Sequence, residues 1–123
     1  AMNAETKKVL GGEVKVHANC AVVPAFIGAA QFVNVECENE VDVDMVREGM
    51  KSEPGIVVFD RNVEGGYVSL TDVQGEDEVY VSRLRQDASV ENGFSFWSVA
   101  DNLRAGVAKN AFGVMKLMLA EKQ

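Results

Sequence analysis

Several segments of this chain alternate apolar and polar residues with the period of two that a half-buried strand imposes, and they follow one another with few helices between them. That arrangement most restricts the fold. In EVKVHANCAVV, Val14, Val16, Ala18, Cys20 and Val22 share one face, while Lys15, His17, Asn19 and Ala21 share the other, so a first strand is expected here with the Val14 face as core. FVNVECENEV resumes the alternation after Pro24 and carries one wet face of Phe32, Asn34, Glu36, Glu38 and Glu40. GIVVFD is a compact buried strand, and RNVEGG behind it has the turn chemistry for a reversal into a strand over YVSLTDV. EDEVYVSRLRQD alternates again, DASVENG is a loop, and FSFWSVAD closes the series with aromatic and β-branched residues.

Helix signals punctuate the strands. NAETKKVLGG forms a short helix that ends where Gly11 and Gly12 accept a left-handed backbone. DVDMVREGMKSEPG has Asp42 as N-cap, Val43, Val46 and Met50 at helical spacing, and a stop before Pro54. From Asp101, a second N-cap, a long helix sets Leu103, Val107, Ala111, Val114 and Met118 on one stripe. Gly106 and Gly113 weaken it, which predicts close packing against a neighbour. Strands in succession with few helices predict an α+β fold: a mixed, mostly antiparallel sheet with helices packed on one face, in a single domain over 1–123. A doubly wound dinucleotide-binding domain does not fit that order.

The 123 residues are 47% hydrophobic and carry a formal net charge of −7, with Lys and Arg scattered. No basic stripe is available to displace counterions, so nucleic acid is excluded as a partner. No apolar run has the length of a membrane helix and AMNAETKK has no signal-peptide core, so no membrane partner is expected and the cytoplasm is the expected location. Residues 1–2 read as cloning residues. Cys20 and Cys37 fall in the expected strands with no metal-ligand spacing, and are expected reduced and buried.

Catalytic, substrate-binding, cofactor and metal residues are all read as none from the residues alone. His17 is the single histidine, so any general-base chemistry passes through it, and in an extended strand it points away from Cys20. The acids of ECENEVDVD form no calcium loop. Arg83 and Arg85 would share one strand face, a fork pair able to hold a carboxylate or phosphate, although salt bridges are the commoner use. Glycine-rich phosphate loops and GxSxG or HExxH motifs are missing.

In order and spacing, NAETKKVLG, CAVVPAFIG, VNVECE, PGIVVFD, DEVYVSRLRQDASVENG and FWSVADNLRAGVAKNA together resemble the C-terminal part of bacterial aspartate-semialdehyde dehydrogenase. The resemblance implies a fold similar to the C-terminal domain of glyceraldehyde-3-phosphate dehydrogenase-like enzymes, a homodimer through the sheet face, and a parent reaction that uses NADP. It also implies that the family's nucleophilic cysteine, its helper glutamine and its dinucleotide loop belong to sequence outside this chain. Where the family reads Cys-Val-Arg-Val-Pro, with the arginine gripping substrate carboxylate, this chain has Cys20, Ala21, Val22, Val23 and Pro24. Where the family has its acid/base histidine followed by Ser and Glu, it has Ala29, Ala30 and Gln31.

The first functional expectation is therefore a truncated, engineered C-terminal domain, inactive in the parent reaction, without a cofactor of its own, serving as a folded scaffold or association module. Lys109 and Lys116, where relatives tend to be apolar or neutral, fit a surface made soluble after excision. A second expectation is a designed enzyme or binder for some target, with its site on the His17 and Asn19 face. A third is a natural non-catalytic paralogue acting by dimerisation.

Overall fold

A computed structural model describes residues 2–121. Helix α1 spans Met2–Leu10. It ends as expected, because Gly11 and Gly12 take φ of +96° and +85° and the Gly12 N–H returns to the Lys7 carbonyl at 2.7 Å. Ala1, half of the presumed cloning dipeptide, lies outside the described residues. Strand β1 (Ala29–Glu36) precedes α2 (Val43–Ser52), β2 (Ile56–Val58), β3 (Val79–Asp87) and β4 (Gly93–Ala100). A π-helical turn over Arg104–Ala108 leads into α3 (Lys109–Ala120).

The strands form one sheet in the order β1-β4-β3-β2. β4 runs antiparallel to both β1 and β3, and β2 lies parallel to β3, so the sheet is mixed and mostly antiparallel, as the strand succession predicts. α2 begins on its expected cap: the Asp42 carboxylate accepts the Asp44 N–H at 2.8 Å. Val43, Val46 and Met50 are half-buried where α2 packs on β2 and β3.

Four strand expectations need correction. Residues 13–28 form no strand; Val14 is 45% and Val22 fully exposed, so the supposed core face meets water. Alternation gives a segment two faces, but a strand also needs a neighbour for its main-chain donors and acceptors, and this stretch has none on the sheet. Cys20 is accordingly exposed rather than buried, and Cys37 is half-buried just past the end of β1; both are free thiols. β1 stops at Glu36, short of the residue-41 boundary, while β2 is only half-buried and three residues long.

Residues 67–73 are the fourth correction. RNVEGG does turn, with the Gly66 N–H on the Val63 carbonyl at 3.0 Å and the Arg61 N–H on the Gly66 carbonyl at 3.1 Å, but YVSLTDV continues as irregular turns. Side chains satisfy its backbone in place of a ladder. Ser82 Oγ accepts the Val68 N–H at 3.2 Å, and Trp97 Nε1 donates to the Val68 carbonyl at 2.8 Å. This segment folds over the sheet, and its Val68 and Val73 form the buried core with Val99, flanked by Ala30, Tyr80 and Trp97.

The last helix starts as expected on Asp101, whose Oδ1 accepts the Leu103 and Arg104 N–H groups at 2.9 and 3.2 Å. Its stripe, however, is open: Leu103, Val107, Val114 and Met118 are 49 to 67% exposed. Nothing lies within 4 Å of where a Cβ would sit on Gly106 or Gly113, so the packing partner expected for these glycines is not found among the described residues.

Candidate functional site

Two surfaces emerge from this frame. The first is an open groove of about 420 Å³ where the loop over residues 23–25 faces Tyr67, Leu70 and Trp97. Its walls are largely apolar. The approach to β1 is fixed by Gly28, whose N–H donates to Asn102 Oδ1 at 2.8 Å. Gly28 sits at φ +116°, a backbone conformation that favours glycine, and a Cβ there would also push on Leu70 Cδ2, 2.7 Å away. Position 29 is thereby held at the start of β1, the edge strand of the sheet. Ala29 and Val22, which stand where the resemblance implies a histidine and an arginine, are both exposed and bring neither a proton carrier nor a charge.

His17 is exposed on the irregular stretch, so the argument that a strand turns it away from Cys20 has no strand to rest on. The polar neighbour found for Cys20 Sγ is Met2 Sδ, at 3.9 Å. Among the described residues, no group of three or more His, Cys, Asp and Glu is placed to hold a metal ion. A second open groove, of about 560 Å³, lies at the start of α2 between Glu40, Asp42, Met45 and Gln86.

The second surface is the open end of the same sheet face. Residues paired across the ladder share a face, so Phe32 lies beside Trp97, and Asn34 beside Ser95 and Arg85. Ser95 Oγ donates to Asn34 Oδ1 at 2.7 Å, which holds this corner of the sheet. The Arg85 guanidinium lies over the Phe32 ring at 4.9 Å, and the Arg83 guanidinium over Tyr67 at 5.3 Å. Phe32 and Tyr67 remain 50% and 45% exposed.

The expected fork of Arg83 and Arg85 is thus not formed, since each guanidinium serves a different ring. A β-bulge is the cause. The register steps from Ser82 opposite Trp97 to Arg85 opposite Ser95, so Arg83 and Leu84 face a single residue, and Arg83 takes φ +56°. Period-two reasoning misses such a step. Past the step Arg85 shares the face of Ser82, and Leu84 shares the face of Val81, where both are buried.

Acids elsewhere hold the frame together. Asp101 is buried, and the Gly75 N–H on its Oδ2 at 2.9 Å is the main reason its carboxyl is held below the usual range; burial opposes this, and the two helix-start N–H groups add to it. The Asp77 carboxyl is lowered chiefly by Arg104, whose Nε donates to it at 2.6 Å. Both acids join the π-helical turn ahead of α3 to the segment before β3.

Comparison with known proteins agrees with this architecture. Residues 1–105 match the family described as semialdehyde dehydrogenase, dimerisation domain. The chain belongs to that family. It is 38% identical over 118 residues to an aspartate-semialdehyde dehydrogenase of Aquifex aeolicus, covering 95% of this chain and 35% of that protein. A Rickettsia bellii aspartate-semialdehyde dehydrogenase is 37% identical over 115 residues, covering 94% of this chain and 34% of the relative. The crystal structure of aspartate semialdehyde dehydrogenase II from Vibrio cholerae, complexed with ASA, superposes with a TM-score of 0.89 at 33% identity, over 97% of this chain and 35% of that one. The chain therefore spans about a third of the length of these relatives, and its sheet is that of a semialdehyde dehydrogenase C-terminal domain.

Proposed function

We propose that this semialdehyde dehydrogenase dimerisation domain works as an association module, pairing with a second copy through the sheet face that carries Phe32, Tyr67, Arg83 and Arg85, and that it does not by itself run the NADP-dependent reaction of the parent enzymes. The observation that carries the reading is the row of half-exposed aromatics each capped by a guanidinium. Aromatic residues and arginine are the types enriched where proteins dock. The dimerisation-domain match supports the same use.

Inactivity rests on positions 22 and 29. An arginine clamp and a proton-carrying imidazole cannot be replaced by the Val22 and Ala29 side chains, and a lost general acid/base alone removes about 10²–10⁴-fold of rate. In this reading the replacements are those of a domain that has exchanged catalysis for association, and the chain works without NADP and without a designed target. Sedimentation velocity over a wide concentration range tests the first part. The expected result is a monomer–dimer equilibrium that shifts to monomer in Arg85→Glu; a chain that stays monomeric at the highest attainable concentration overturns it. Phosphate-dependent reduction of NADP by the chain, with aspartate semialdehyde supplied, overturns the second part.

A further inference from the structure

We propose that Asp60 is a positioning residue for the association face, locking the β3 bulge from behind so that the Arg83 guanidinium lies over Tyr67; the effect on pairing rests on the association reading above. The bulge leaves two successive main-chain N–H groups without ladder partners, and Asp60 takes both. Its Oδ1 accepts the Arg83 N–H at 2.8 Å and its Oδ2 the Leu84 N–H at 3.2 Å. Arg47 of α2 closes the other side, donating through one nitrogen to Asp60 Oδ2 at 3.0 Å and to the Leu84 carbonyl at 3.1 Å.

Both polar main-chain groups of Leu84 are therefore held by one ion pair. That pair is shielded, with side chains 13% and 25% exposed, so salt screens it less than it would a surface pair. Arg47 is itself steadied by Asp44 on α2. The outcome is a left-handed residue that is not glycine, at φ +56°, a conformation that non-glycine residues seldom take. A bulge re-aims the side chain it carries. Here the aim is toward Tyr67.

Proton–nitrogen correlation spectra of the arginine Nε–Hε groups, with sedimentation velocity on the same samples, test this. In the unaltered chain the Arg83 Hε resonance lies upfield of the other arginines because of the Tyr67 ring current, and Tyr67→Leu abolishes the displacement. Asp60→Asn, with cooperative melting retained, is expected to abolish it too and to weaken self-association about three- to fivefold, the scale of one exposed cation–π contact. In an Arg83→Gly background, Asp60→Asn should change association no further. An upfield Arg83 Hε that persists in a folded Asp60→Asn chain, or additive losses in the double variant, overturns the proposal. Should Asp60→Asn not fold, Arg47→Lys removes the clamp more gently and is read by the same resonance. A chain that is monomeric throughout sinks the association reading, while the Arg83 resonance still decides the position of its side chain.

Discussion

Asp42 and Asp101 are both N-caps, yet they do different amounts of work. Asp42 is exposed and accepts one N–H, whereas Asp101 is buried and accepts three, one of them from Gly75 across the fold. Replacing Asp42 by Ala should cost about 1 kcal/mol, the usual value of an exposed cap. Asp101→Ala should lower the thermal midpoint by clearly more, because it also strands the Gly75 N–H. The Asp101 carboxyl ionises below its ordinary value of 3.8, so the stability it supplies is fully present above that value and is lost as pH falls through the lowered one. Urea titrations between neutral pH and pH 2 should show this acid limb flattened in Asp101→Asn. Both caps were legible in the sequence, since an acid ahead of an apolar stripe at helical spacing has few other uses. The third bond was not, because nothing local links Gly75 to Asp101.

Among the elements, β3 and β4 were plain from alternation and the short loop between them, and α2 from its cap and its stop at Pro54. The bulge was hidden because it moves a single residue and leaves the composition of the strand unchanged. Residues 14–22 misled through their alternation and residues 67–73 through the turn ahead of them, and both lacked a place on the sheet. Apolar residues at every second position describe a possible strand, but a ladder forms only where a free edge exists, and Val68 instead finds its partners in Ser82 and Trp97. In α3 the forecast failed differently: the helix formed, but its partner surface is missing from the described residues. Gly113→Ala should therefore raise stability by about 0.5–1 kcal/mol in chemical denaturation, because no neighbouring atom opposes the added methyl group. A loss of stability would mean that something packs there in solution.

The whole molecule retains the family's sheet at a TM-score of 0.89, while positions 22 and 29 carry Val and Ala where the resemblance implies an arginine and a histidine. That division was legible in the sequence, because the order of the matching segments and the substitutions at 22 and 29 can be read without coordinates. The arginine–aromatic surface was only half legible: Arg83 and Arg85 stood out, but their ring partners come from β1 and from the irregular segment before β3, far along the chain. Finally, α3 is tied to the rest by Arg104 in the turn ahead of it and Lys109 at its start, through Asp77 and Glu78, and beyond Lys109 its Phe112, Leu117 and Leu119 stand in water. A helix anchored at one end and greasy along its length governs how the protein handles at the bench. Adsorption to surfaces and sensitivity to mild detergent should track the final dozen helical residues, and trimming them should ease both while sparing the sheet.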